Sequence, residues 1–268
     1  MQNTSDKDPN MSLVSAASTP SWVPSPDYLG IVVSRYKEPL DPWADVASNT
    51  YLYAKYATPQ ENDSVSHEAF RLYEQLPNTG REGRTYCHHI YHHYDELQPI
   101  VIFTQADPFD MIGPETNTTE AMVRKAVAEP DDDDDPVTIF NHGLLHDLAE
   151  WGPVNWSAPA EGYWIKPSQL ETLTLAPYDM AEFWRRLFEE EHPPAVRVVH
   201  GATFAVRREA IWQHERDFYE RCLELFVEDG QDVVNPEVGF FMERAWLAVW
   251  SRKFWLQFPV IRRDLTGI

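Results

Sequence analysis

The sequence predicts a single-domain α/β fold, a sheet flanked by helices. Two apolar runs rich in β-branched residues, Tyr28–Tyr36 and Pro99–Gln105, have the length and composition of buried strands. Segments of helical period separate and follow them, and strands alternating with helices build layered α/β architectures. At 268 residues, 43% apolar and 24% charged, the chain has the size for one full core and a composition unlike that of a disordered segment.

The elements follow in order. Residues 1–26 carry Ser, Thr, Pro and Asp without a basic stretch leading into an apolar one, so a disordered tail is expected there rather than a signal peptide. The domain is expected over 27–268. After the first strand, Asp41-Pro-Trp-Ala-Asp45 predicts a turn and Thr50–Tyr56 a second strand. The turn Leu76–Gly83 leads into a helix over Arg84–Leu97, with Tyr86, Ile90, Tyr94 and Leu97 on one face. The strand at 99–105 runs into Asp107-Pro-Phe-Asp110. Residues 113–136 read as an acidic loop insert, because the block Asp131–Asp135 belongs in solvent. From Trp151 to Pro167, prolines and aromatic residues predict an irregular wall. Helices are expected over Asp179–Glu191, Arg208–Glu228 and Pro236–Leu256, with a strand over Val196–Val206 bent at Gly201.

Net charge is -21, which argues against generic nucleic-acid binding, since that affinity comes from Lys and Arg neutralising phosphates. No DNA partner is expected. No run approaches the ~20 apolar residues of a membrane span, so no membrane partner is expected either. Cys87 and Cys222 both fall in helical segments, which predicts no disulfide framework and a cytoplasmic setting. The negative charge concentrates in the first 150 residues. From Phe240 onward basic residues outnumber acidic ones, leaving room for a local basic face.

Several side-chain groups carry candidate chemistry. Asp107 and Asp110 lie just past a strand's C-terminal end, where open α/β sheets gather ligands; they suit a cation, though the same residues favour a plain turn. Asp147 and Glu150 stand three apart in Leu145-His-Asp-Leu-Ala-Glu-Trp151, so on a helix they would share a face and accept a guanidinium together; an ordinary exposed helical turn is the alternative. His88, His89, His92 and His93 form two i,i+4 pairs, yet no further ligand motif accompanies them, and packing roles are expected rather than a metal site. Arg81 and Arg84, in the glycine-flanked turn before a helix, suit an anion or simply start the helix. Glu243 and Arg244 sit in an otherwise apolar helical segment, where charges are expected to be paired.

Taken together, Ile31–Tyr36, Leu76–Gly83, Val101–Asp110, Gly201–Val206 and Asn235–Trp246 resemble a widespread fungal family whose pattern is similar to GT-A glycosyltransferases. Within it, the chain resembles the fungal arginine-containing cyclodipeptide synthases. The resemblance spans roughly 28–256, and its acidic motif falls at His146-Asp147-Leu-Ala-Glu150, with histidine in place of the family's first aspartate. It implies a GT-A-like fold and an enzyme that condenses arginine with a second amino acid, both delivered as aminoacyl-tRNA, into a diketopiperazine. An aminoacyl ester is already activated, so no cofactor is implied. On this reading Asp147, Glu150, Asp107, Asp110 and Glu243 are catalytic. His146, Arg81, Arg84 and Trp151 bind substrate, with Trp156, Tyr163 and Trp164 walling the second amino acid. Arg244, Arg252, Lys253, Arg262 and Arg263 hold tRNA. A glycosyltransferase using a nucleotide sugar and a divalent metal is the alternative.

Overall fold

A computed structural model describes residues 19–56, 63–128, 136–140, 143, 145–158 and 165–257. Its central sheet contains β1 (Leu29–Arg35), β2 (Thr50–Ala54), β3 (Leu72–Gln75), β4 (Ile100–Gln105), β8 (Phe204–Arg207) and β5 (Val137–Ile139), in the order β3-β2-β1-β4-β8-β5. The first four are parallel; β8 runs antiparallel to both β4 and β5. The α/β expectation therefore holds. Both faces of the sheet are covered, which is why β1 and β4 read as unbroken apolar runs rather than alternating ones. Val32, Val101 and Phe103 face one core, shared with α1 (Arg81–His93), α4 (Met180–Phe188), α6 (Arg216–Leu225) and α7 (Glu237–Trp250), and Leu170 of α3 (Pro167–Thr172) packs against it. Ile31, Val33, Ile100 and Ile102 face the other core, against a 3-10 segment over Asp41–Asn49 and α2 (Thr119–Val127).

A smaller sheet, β6-β7-β9, comprises Leu145–Leu148, Ala195–Val199 and Trp255–Leu256. The strand expected over 196–206 is thus two strands in two sheets. Gly201 (φ +90°) and Ala202 (φ +45°) turn the chain between them through a left-handed backbone, which glycine adopts without steric cost.

Other elements correct the sequence reading. The stretch around Asp147 is the strand β6, not a helix; its backbone pairs with β7, and Asp147 stands opposite Arg197. The 113–136 insert contains α2, capped by Thr118, whose side chain accepts from the Ala121 N–H. Met122, Val123 and Ala126 bury that helix against the sheet, so apolar spacing outweighs the neighbouring acidic block, while Asp131–Asp135 lie outside the described residues. The helix expected over 208–228 is α5 (Arg208–Ile211) and α6, divided where Trp212 donates to the Tyr94 carbonyl and Glu215 turns extended. In the stretch expected to be tail, residues 1–18 lie outside the described residues, but Trp22 and Val23 pack on the second core. Cys87 on α1 and Cys222 on α6 form a disulfide, against expectation: the helices pack side by side, a proximity that spacing in sequence does not reveal. Among the described residues, no helix is long and apolar enough to cross a membrane.

Candidate functional site

Parallel order reverses at β1, which has β2 on one side and β4 on the other. The C-terminal ends of β1 and β4 flank such a switch point, where chain segments leaving in opposite directions open a crevice. A cleft lies there, in two compartments. One, of about 230 Å³, is bordered by Asp107, Asp110, Glu243, Lys166 and His200. The other, of about 450 Å³, is bordered by Ser34, Arg35, Tyr36, Glu38 and Lys55. Arg81, Glu82 and Gln105 border both and form the wall between them.

The acidic compartment is assembled from three directions. The turn after β4 is held by Pro108, whose carbonyl accepts from Met111 and Ile112, and by Trp43, which donates to the Ala106 carbonyl at 2.9 Å and stacks on Phe109. That buttress leaves Asp107 and Asp110 exposed, and neither has a hydrogen-bond or ion-pair partner among the described residues. The turn expected at these residues is present, and it borders the cleft. α7 supplies Phe240 and Glu243, three residues apart on one helical face. Glu243 Oε1 accepts from the Gly201 N–H at 2.7 Å and lies 3.9 Å from His200 Nδ1. α1 supplies Arg81, whose guanidinium lies 4.3 Å above the Phe240 ring and donates to Asn235 Oδ1 at 3.3 Å. Glu82 follows, its carboxylate 3.7 Å from Arg81 Nε. Burial, then the nearby His146 and Arg244, push the His200 imidazole down to about 3, so it is neutral at physiological pH.

The remaining expected site residues lie elsewhere. Asp147 is bonded to Arg197 Nε at 2.9 Å, and Glu150 lies 3.3 Å from Arg244 Nη2. Asp147 on β6 and Glu150, two residues past the strand's end, take separate arginines rather than sharing a helical face. His146 stacks on His200 at 4.3 Å, behind the cleft wall. Arg84 turns away to Asp232 at 2.6 Å. Trp151 is buried, stacked on His192 and bonded to the Pro194 carbonyl. Trp156 is buried as well and donates to Glu237 Oε1 at 2.5 Å. Tyr163 and Trp164 lie outside the described residues.

Among the residues expected to hold tRNA, the described ones, Arg244, Arg252 and Lys253, do not border the cleft. Arg244 is fully buried beneath Trp156, so no surface ligand reaches it; a helix that is apolar all round is enclosed, and its charges with it. Arg252 forms a bidentate pair with Glu190 and lies over Trp255, and Lys253 lies over Phe254, both beyond the far end of α7 from Glu243. Arg262 and Arg263 lie outside the described residues.

The histidines of α1 serve packing. His89 is buried and bonded through Nδ1 to Tyr53 Oη at 2.9 Å, and His88 Nε2 meets Glu74 at 3.2 Å. Among the described residues no three His, Cys, Asp or Glu side chains cluster as metal ligands. Sequence reasoning missed Glu82, Lys55 and His200. Their positions just after turns or strand ends were the available signal, but only the packed sheet brings them to one crevice. No curated protein and no solved structure matches the chain. A sequence model matches residues 31–257, nearly the whole of the two sheets and the cleft, and by that match the chain belongs to the family described as "Protein of unknown function (DUF3431)".

Proposed function

We propose that the chain is an aminoacyl-tRNA-dependent cyclodipeptide synthase that joins arginine to a second amino acid. The observation that carries this reading is the unpartnered pair Asp107 and Asp110, converging with Glu82 and Glu243 on one cleft at the ends of β1 and β4. Carboxylates without internal partners favour a cationic ligand, and a guanidinium accepts two of them in a planar fork. The adjoining compartment gives room for a second substrate beside the first. Joining two activated esters needs close placement, removal of a proton from the attacking amine and hydrogen bonds to the oxyanion. The resemblance to arginine-containing synthases supports the same reading. Asp147 and Glu150, engaged by Arg197 and Arg244, act in it as structural braces behind the cleft.

Purified protein given arginyl-tRNA and a second aminoacyl-tRNA is expected to release a cyclic dipeptide containing arginine, read by mass spectrometry, and RNase is expected to abolish it. Asp107→Asn and Asp110→Asn should each weaken use of the arginyl substrate by about 1.5–3 kcal/mol, the worth of a hydrogen bond to a charged group. Product formed equally well by both variants would remove the acid pair from the mechanism. An acid pair following β4 at the switch point also suits a metal-bound nucleotide sugar. Transfer from a nucleotide sugar with manganese, and none from charged tRNA, would put a glycosyltransferase in the synthase's place.

A further inference from the structure

Lys55 follows the last residue of β2 and is 7% exposed. Its Nζ donates to the carbonyl oxygens of Thr79, at 2.8 Å, and Arg81. These carbonyls bracket Gly80 (φ +69°), and Arg81 itself has φ +49°, so the lysine ties down the left-handed turn that starts α1. The turn in turn places Arg81 and Glu82 in the wall between the compartments. A tetrahedral amine with two N–H groups committed to carbonyls has one position left. Lys55 borders the larger compartment, and no carboxylate among the described residues pairs with it.

We propose that Lys55 is the proton-accepting group of the cleft, relieving an attacking amine in the larger compartment of its proton. The assignment rests on the synthase reading. A neutral lysine keeps both carbonyl bonds, because its two N–H groups satisfy them, and turns its lone pair to the third position. Burial pushes the Lys55 ammonium down to about 7, with Glu82 opposing and Arg84 and Arg81 adding to the fall. Arg35, held by Asp63, and Glu38 face the same compartment, and His88 lies behind. An α-ammonium loses its proton at about 7.7–8.0, so transfer to Lys55 is nearly balanced, the condition under which general-base catalysis works best. The steps conserve atoms and charge. The α-ammonium gives one proton to Nζ, and the freed lone pair attacks the ester carbonyl carbon. The C–N bond forms as the C–O bond breaks, the amine's second proton goes to the departing ribose oxygen, and Lys55 returns its proton to solvent.

Two measurements test this on the full chain. With lysine labelled at ¹³Cε, NMR follows each of the six lysines through pH, and Lys55→Arg identifies the signal of Lys55. A midpoint near 7 is expected; a midpoint near the ordinary lysine value of about 10.4 overturns the assignment. With charged tRNAs, Lys55→Met is expected to lose about 10²- to 10⁴-fold in kcat while KM for tRNA holds. Lys55→Arg, which still bonds the carbonyls but has no neutral form, should lose as much with a melting curve unchanged at pH 6, where both side chains are charged, so misfolding cannot account for the loss. Either folded variant turning over at the wild-type rate overturns the role of Lys55 and leaves the synthase reading standing. Wild-type protein that makes no cyclic dipeptide from any charged pair removes both.

Discussion

At position 244 a guanidinium lies fully buried, 3.3 Å from Glu150 and 4.8 Å above the Trp156 ring. A buried charge costs most when its partners are stripped away, so Glu150→Ala is expected to lose about 3–5 kcal/mol of unfolding free energy in urea melts. The Glu150→Ala loss would far exceed that of an exposed pair such as Arg252 with Glu190, worth at most about 1 kcal/mol. Gly201 carries a different burden. Its φ of +90° is one that L side chains rarely adopt, and its N–H holds Glu243. Gly201→Ala should therefore cost about 1–2 kcal/mol by the same melts, and it should also disturb the acidic compartment by moving Glu243. The role of that glycine was visible in the sequence as an interruption of a strand. For Arg244 the sequence showed only a charge in an apolar helix that needs a partner; which elements cover it, and that Glu150 meets it, came from the packing.

Between elements, the Cys87–Cys222 bond joins α1 to α6 across 135 residues. Closing so long a loop restrains the unfolded chain strongly, and the chain-entropy relation gives about 4–5 kcal/mol. Cys222→Ser is expected to lower the urea midpoint accordingly, and reductant should shift the wild type but not the variant. Equal midpoints with and without reductant would show that the two thiols are not joined in solution. α2 offers a smaller test. Thr118→Ala removes its cap and should cost about 1 kcal/mol in thermal melts. That cap, and the apolar residues Met122, Val123 and Ala126, were legible in the sequence; the five aspartates beyond them drew the reading toward a loop. Asp147 shows the converse failure. Four residues carry too little periodicity to separate strand from helix, and the deciding partner, Arg197 on β7, lies 50 residues away.

Across the whole molecule, burial sets the response to pH. His200 is held down at about 3, and His89 lies well below the ordinary histidine value because it is buried beside His93 and His88. Between their folded values and about 6.5 the unfolded chain binds protons that the folded chain does not. Stability therefore falls as pH drops below about 6.5, and thermal melts from pH 7.5 to 5 should show a falling midpoint. Lys55 acts with the same sign at higher pH. Its folded value of about 7 lies below the unfolded one, so its unfavourable contribution fades as pH rises from about 7 toward 10. Lys55→Met should flatten the rise in melting temperature across pH 7–9. A midpoint that stays flat over both ranges in the wild type would contradict the buried positions of these groups.

What the sequence determined by itself was local. Apolar runs with β-branched residues specified β1 and β4, alternation specified β2, and helical segments specified α1 and α4 to within a few residues. The helix expected over 236–256 ends at Trp250, because Trp255 and Leu256 pair with β7 instead, and the acid-ended strand marked Asp107 and Asp110 as a turn past a strand's C-terminal end. Those signals survive because each lies within one element, where spacing along the chain equals spacing on a face. Tertiary structure alone decided which elements meet. It divided the 196–206 run between two sheets, joined Cys87 to Cys222, enclosed Arg244, and brought Lys55, Glu82, His200 and Glu243 from four separate segments to the crevice beside β1 and β4. Contacts between residues tens to more than a hundred positions apart follow from how the buried faces pack and where strand order reverses, and neither is written in any single stretch of the chain.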